Sequence, residues 1–287
     1  MKNRKCGAAD FVIGAVIGRM ILAVVIPFVN TTAISFASQR EYLDTPLLLF
    51  PKEPTLNNYK NLLGDERIRI GYLTSLKILL LGLPLNLFLT TSLAYGTSRK
   101  AYPGKKLILY AVLFTMLFNG GILPLYLQMR ELRLTNTLWS VVLASGVNVF
   151  YSVLARNYFC SLPKALIESA QLDGAGEWRI LFSIILPISK PILATITLFY
   201  MVDRWNEWYN ALIFIRDNGI IPLQVALRSI VMESNISSSS SAQAAVRNFD
   251  MGIKMGAVML TSLPIMCVFP FLQKHFAKGV MVGAIKA

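Results

Sequence analysis

The run from Phe11 to Phe36 constrains this chain most: 26 residues broken by a single charge, Arg19. About 20 apolar residues in a helix cross the hydrocarbon core of a bilayer, so this run is long enough to span one. It follows a basic start at Lys2, Arg4 and Lys5, and Ser35-Phe36-Ala37 offers small residues where a signal peptidase could cut. The apolar part of a signal peptide runs to roughly 7–15 residues. This one is longer and charged inside, so an uncleaved span is expected. Charged rather than apolar residues precede Cys6, which does not fit a lipoprotein cysteine.

The rest of the chain repeats the theme. Further apolar runs cover about Tyr72–Tyr95, Leu107–Leu127, Leu138–Ala155, Ile192–Ile215 and Gly252–Phe271. With 55% hydrophobic and 15% charged residues and a mean hydropathy of +0.55, the chain is far below the roughly 25% charge of a soluble domain. Disorder is excluded, because so apolar a chain collapses. The fold expected is all-α and integral to the membrane, with six transmembrane helices. Residues 37–70, with Pro46, Pro51 and Pro54, read as a loop, as do 216–250, where Ser237 to Ser241 form a low-complexity tip.

The net charge of +13 would suggest nucleic acid in a soluble protein. Here basic residues flank spans, and no nucleic-acid partner is expected. Six spans place both termini on one side. That side and its loops hold 14 Lys/Arg and 4 Asp/Glu against 10 and 9 opposite, and the short turn at 99–106 carries Arg99, Lys100, Lys105 and Lys106. Short cytoplasmic loops are enriched in Lys and Arg, so both termini are expected in the cytoplasm. The expected domains are 1–70 (N-terminus, first span and outer loop), 71–275 (spans two to six, with a mixed segment at 156–190) and 276–287 (cytoplasmic tail).

Several chemistries are missing. Gly104-Lys105 is not a P-loop, because position 99 is arginine. There is neither a metalloprotease HExxH nor a GxSxG elbow, and the sole histidine is His275. Three cysteines (Cys6, Cys160, Cys267) without a CxxC predict free thiols and no metal site. The chain is not expected to be an enzyme.

The mixed segment is the most informative part. Ser161 suits a helix cap and Pro163 an early helical position. Ala165 to Asp173 can form a short helix, Gly174 can take the left-handed turn that ends it, and Ala175 to Leu186 can form a second, stopped by Pro187. Ser169, Ala170, Ala175 and Gly176 line the bend and leave room for another protein to approach. An amphipathic surface helix is the plainer alternative, but it does not account for the glycine corner.

Glu168, Ala170, Gly174, Ile184, Leu186 and Pro187 stand at the spacing E-A-A, three residues, G, nine residues, I, one residue, L-P, with Ser169 in place of the central alanine. In this the chain resembles permease subunits of binding-protein-dependent ABC importers, of type I with the MetI-like fold. Trp205-Asn206-x-Trp208-x-Asn210-Ala211-Leu212, Asn119-Gly120-Gly121 with Pro124, and Ile221-Pro222-Leu223-Gln224 look most like its carbohydrate branch. That branch is the LplC/YtcP-like permeases, related to the maltose-transporter inner-membrane subunits.

The resemblance implies that the two-helix segment is a cytoplasmic coupling helix between spans four and five. It would dock into a separate ATPase through Glu168, Ser169, Ala170, Asp173, Gly174, Ala175, Ile184, Leu186 and Pro187. It implies a second permease, two ATPase subunits and an extracytoplasmic solute-binding protein as partners. ATP and magnesium would be bound by the ATPase subunits, with no cofactor on this chain.

Asp203, Arg204 and Glu207 lie in an apolar stretch, where charges are costly and face a cavity or each other. In a continuous helix, Asp203, Asn206, Glu207 and Asn210 share one face beside Trp205, Trp208 and Tyr209. A polar face next to an aromatic one suits a sugar; an interfacial aromatic belt is the alternative. With Asn119 at a possible break in span three, these are the substrate-path candidates. A non-sugar solute, or a proton-coupled carrier built on Asp203 and Glu207, remains the rival function.

Overall fold

A computed structural model describes residues 8–45, 47–99, 104–237 and 250–284. Cys6, Lys100, Pro103, Ser238 to Ser241 and residues 285–287 of the tail lie outside the described residues. Within them, Cys160 and Cys267 are free. The described secondary structure is helical: α1 (Ala8–Phe36), α2 (Gln39–Asp44), α3 (Asn57–Gly64), α4 (Glu66–Ser98), α5 (Lys105–Leu117), α6 (Ile122–Glu131), α7 (Leu138–Ala144), α8 (Val149–Ser161), α9 (Lys164–Leu172), α10 (Glu177–Ile180), a π-helical turn (Leu181–Ile185), α11 (Leu186–Ile188), α12 (Lys190–Trp205), α13 (Tyr209–Phe214), a 3-10 turn (Asn218–Ile220), α14 (Leu223–Ser237) and α15 (Asp250–Ala284).

Among the described residues, three helical stretches are long and apolar enough to cross a membrane: Val12–Phe36, Glu66–Ser98 and Met251–Val268. Three bent pairs have the composition of a span between them: α5 with α6 (117°), α7 with α8 (53°), and Glu177–Ile188 with α12 (88°). Two of the runs expected as single helices, Leu107–Leu127 and Leu138–Ala155, are therefore broken, and Ile192–Ile215 is interrupted between Trp205 and Tyr209. The break in span three follows from its glycines. Gly121, with φ +86°, stands directly before α6, and its N–H donates to Asn119 Oδ1 (2.9 Å), an Asx turn that keeps the chain out of the helix between Leu117 and Ile122.

The chain divides into two compact units. One comprises Met1–Ile68 and Leu227–Leu263. In it, Ala33, Ile34, Ala37 and Leu48 form a core with Met251 and Met255, while Val12, Met20 and Val24 of α1 stay exposed, as side chains facing lipid would. The stretch expected as a loop at 37–70 contains α2 and α3. Asn58 of α3 is buried and donates to the carbonyls of Ser35 and Ala37, so it satisfies backbone groups left open at the end of α1.

The other unit comprises Arg69–Ala226 and Pro264–Ala287. Its larger core joins Ala94 and Tyr95 of α4, Ala155 and Phe159 of α8, Ala170 of α9, the π turn, and Ile192 and Ile196 of α12. A second cluster unites Ile78, Val141, Val142, Ala211 and Ile215. The loop expected after 216 instead carries α14. Leu223 and Ala226 are buried, the Leu223 N–H donates to Ser75 Oγ, and a Cβ on Gly71 would stand 2.8 Å from Leu223 Cα. Close backbone approach, rather than apolar periodicity, seats this helix.

Candidate functional site

The corner at 161–189 is built mostly from local interactions. Gly174 has φ +78°, which costs an L-residue energy that glycine does not pay. Its N–H donates to the Gln171 carbonyl (3.0 Å), and the Ala175 N–H reaches back to the Ala170 carbonyl (2.9 Å). This pair of bonds is the Schellman termination, and Ala170 and Ala175, the residues at its two ends, both pack on the core. The small residues at the bend therefore do different things. Ala170 and Ala175 face their own chain, whereas Ser169 and Gly176 are exposed.

Glu168 and Asp173 are exposed, and Leu172 beside the turn is 89% exposed. Ile184 and Leu186 are half-buried against the core, alongside the buried Ile180, Leu181 and Ile185, and so anchor the corner. Three expectations fail here. Ser161 closes α8, with its Oγ on the Tyr158 carbonyl, and Pro163 precedes α9. Pro187 does not stop the second helix, which continues to Ile188. The π turn explains this: the Leu186 N–H bonds Leu181 O, five residues back, and widens the coil where a proline ring would otherwise clash.

Glu177 was not among the residues expected from sequence. Its carboxylate accepts from Tyr95 Oη (2.5 Å), Arg99 Nη2 (3.2 Å) and Gln171 Nε2 (3.1 Å), so it ties both arms of the corner to the end of α4. The available signal was one acid following the glycine corner and one arginine following the second span.

The second constellation is long-range. Arg204, at the end of α12, is 2% exposed. Its Nε donates to Asn86 Oδ1 (2.8 Å), Nη1 to Val141 O and Ser145 Oγ, and Nη2 to Val142 O and Ser145 O. Those five bonds use every donor of a guanidinium. Val141, Val142 and Ser145 belong to the end of α7, whose last carbonyls have no partner within the helix. Arg204 therefore caps the first half of the broken span with its charge at the negative end of the helix. Asn86 Nδ2 completes the cap on Ser145 O and Gly146 O. Asn148 caps the second half, α8, by accepting from the Tyr151 N–H, while its own N–H donates to Tyr200 Oη.

Beside this lock lies a cavity of about 240 Å³ lined by Ser145, Val147, Asn148, Tyr200, Asp203, Arg204 and Glu207. Of the substrate-path candidates, Asp203 and Glu207 line it. Asp203 accepts from Tyr151 Oη (2.9 Å), and Glu207 lies 3.9 Å from Arg204 Nη1. The face expected from continuous helical spacing does not form, because α12 ends at Trp205 and α13 starts at Tyr209. Glu207 instead accepts from the Asn210 backbone and side-chain amides at the start of α13. Trp205 is buried against Tyr72, and Asn206 accepts from Gln224. Trp208 and Tyr209 are exposed and stacked edge to face (5.6 Å), and Asn119 sits in the α5–α6 break. Asn86, Ser145 and Asn148 were missed; an asparagine inside an apolar span was the one legible hint.

The sequence pattern of the family described as "Binding-protein-dependent transport system inner membrane component" matches residues 72–282. This chain belongs to that family. It is 36% identical to "Protein LplC" of Bacillus subtilis, over 100% of this chain and 98% of that protein. It is 34% identical to the "Polygalacturonan/rhamnogalacturonan transport system permease protein YtcP" of the same organism, over 100% of both. The fold is similar to a chain of a bacterial ABC transporter "involved in the import of the acidic polysaccharide alginate", with a TM-score of 0.86, 26% identity, and coverage of 96% of this chain and 100% of that one. The chain is thus a multi-pass membrane permease component with the MetI-like fold, and not an enzyme.

Proposed function

We propose that this chain is a permease subunit of an ATP-driven ABC importer that moves an oligosaccharide or polysaccharide fragment inward by alternating access. The observation that carries the reading is the corner. The family spacing from Glu168 to Pro187 coincides with a Schellman turn that presents Glu168, Ser169, Asp173 and the apolar tip Leu172 outward, while Ile184 and Leu186 hold it to the bundle. In this reading the long helices and bent pairs make six spans, both termini are cytoplasmic, and the corner is the coupling helix that docks into an ATPase subunit. A second permease, two ATPase subunits with ATP and magnesium, and an extracytoplasmic solute-binding protein complete the assembly in the cytoplasmic membrane.

The carbohydrate assignment draws on relatives named for polygalacturonan, diacetylchitobiose and galactooligosaccharide transport. It also draws on a cavity that offers carboxylates and a tyrosine to hydroxyl groups. Asp203 and Glu207 line the path there, and Trp208, Tyr209 and Asn119 offer surfaces farther along it. Arg204 has no donor left for a ligand.

The test is mild-detergent purification of the tagged chain, followed by mass spectrometry and an ATPase assay. A co-purifying cytosolic ATPase and second permease, with association lost in a Glu168→Ala/Gly174→Pro double variant, is the expected result. Recovery of the chain alone, with uptake that survives ATP depletion and collapses with an uncoupler, would replace the importer by a carrier built on Asp203 and Glu207.

A further inference from the structure

Helix α4 touches both constellations. At one end, Tyr95 and Arg99 hold Glu177. About two helical turns before Tyr95, Phe88 stacks on Trp178 of α10 (6.2 Å between centroids, planes 6° apart). Close by, Asn86 holds Arg204 Nε, and a Cβ on Gly82 would stand 3.0 Å from that same nitrogen. Asn86 and Arg99 are 13 residues apart, about 20 Å along one helix at 1.5 Å per residue. The prolines of this unit's broken spans have no counterpart between them, because Pro84 precedes Asn86. Residues 86–98 of α4 form an uninterrupted, proline-free helix of about three and a half turns, a rigid element able to carry displacement along its axis.

We propose that α4 is the connecting rod between the ATPase-facing corner and the cavity, with Glu177 and Asn86 as the positioning residues at its two ends. This rests on the importer reading above. The clamp at Glu177 is more than a surface ion pair. The Tyr95 ring is buried, so its hydroxyl has few other acceptors, and Gln171 joins the same carboxylate from the opposite arm of the corner. A movement of the corner therefore drags the end of α4 with it. At the other end, Asn86 accepts from the guanidinium and donates to the carbonyls that close α7, so an axial shift of α4 acts on Arg204 and on the break in span four together. Both line or border the cavity, as Arg204 and Ser145 do directly. Contact alone does not establish coupling; a change at one end must be read at the other.

The experiment uses the complete assembly purified with its partners, with Cys6, Cys160 and Cys267 replaced by serine and Val147→Cys introduced in the cavity wall. The labelling rate of that cysteine by a water-soluble thiol reagent is measured with and without ATP, alongside ATP hydrolysis. In the parent protein, ATP is expected to change the labelling rate several-fold. Glu177→Gln, which loses the charge, and Tyr95→Phe, which loses only the hydroxyl, should each shrink that change to less than twofold while ATP hydrolysis continues. The exchange Arg99→Glu/Glu177→Arg should restore a substantial part of it. An ATP-dependent change that survives intact in both single variants would overturn the rod and leave the importer standing. A parent preparation with no associated ATP hydrolysis would overturn the importer reading and the rod with it.

Discussion

The corner and the arginine lock solve the same problem, a helix that ends inside a bundle, with opposite means. At the corner, the chain closes α9 with its own backbone: the bonds from Gly174 to Gln171 and from Ala175 to Ala170 span three and five residues. At the lock, α7 is closed by a side chain 59 to 63 residues away, which itself leans on an asparagine 118 residues before it. A local closure depends on one backbone conformation. A remote closure depends on the whole bundle being assembled first. The first suits a motif that docks to another protein, and the second suits a region whose parts move relative to one another.

The largest test of this contrast is Arg204→Ala. It leaves the carbonyls of Val141 and Val142 and the Asn86 oxygen without the guanidinium donor, and leaves the Ser145 carbonyl with Asn86 Nδ2 alone. Breaking a buried charged network in this way costs about 3–5 kcal/mol. A strong fall in melting temperature of the purified protein in detergent is expected. Arg204→Lys keeps the charge but offers three donors from a point rather than five in a fork, and should fall in between. A melting temperature for Arg204→Ala equal to that of the parent would show that the lock bears no strain.

Next comes Gly174→Pro. Proline needs φ near −65°, the native value is +78°, and the bond to Gln171 O would be lost with the N–H. Transport should be abolished while the amount of chain in the membrane fraction, read by immunoblot, stays near normal. Gly174→Ala separates conformation from contact, since nothing stands within 4 Å of the added Cβ. The backbone alone then costs about 1–2 kcal/mol, and uptake should be reduced rather than lost.

Two glycines of α4 sharpen the comparison further. At Gly82 an added methyl meets the Arg204 side chain at 3.0–3.2 Å, and five hydrogen bonds keep that side chain from giving way. At Gly96 nothing lies within 4 Å. Gly82→Ala should lower stability by roughly 1 kcal/mol net of overpacking and helix propensity, whereas Gly96→Ala should leave it equal or raise it by up to about 1 kcal/mol. Equal melting temperatures for the two variants would place the guanidinium in a looser pocket than the contacts describe.

These contrasts also explain what could be read in advance. The long apolar helices, the glycine that ends α9 and the family spacing around it were legible, because each is encoded within one continuous stretch of sequence. The breaks were less so. Arg204, Asp203 and Glu207 stood out as charges in an apolar run, but whether they shared a face depended on α12 stopping at Trp205, which no local breaker announces. Glu207 was visible as an acid and not as the group that accepts from the start of α13. Helix α14 hid in a polar stretch because Leu223 and Ala226 are seated by close backbone packing against Gly71 and a bond to Ser75. Glu177 was passed over for Glu168, since the family pattern names the exposed acid and is silent on the one that holds the corner.

The smallest effect is expected where a closure is local and half in water. Asp65 precedes α4, accepts from the Arg67 backbone N–H (2.9 Å) and pairs with the Arg67 guanidinium (2.8 Å). That guanidinium holds the carboxyl below its ordinary value, partly offset by burial. A carboxyl whose folded pKa lies below its unfolded one contributes stability at pH values above the unfolded value, near 3.8, and that contribution disappears as pH falls through the folded one. Asp65→Asn keeps a good cap and removes the charge, so it isolates the ion pair. With side chains 26% and 39% exposed, solvent screening holds the loss at neutral pH to below about 1 kcal/mol. Melting temperatures of the parent and Asp65→Asn should differ slightly at pH 7 and converge as the pH falls through the folded value, below 3.8. A difference that widens on acidification would mean that the aspartate is strained by its surroundings rather than stabilised by Arg67, and the start of α4 would then depend on remote contacts as the lock does.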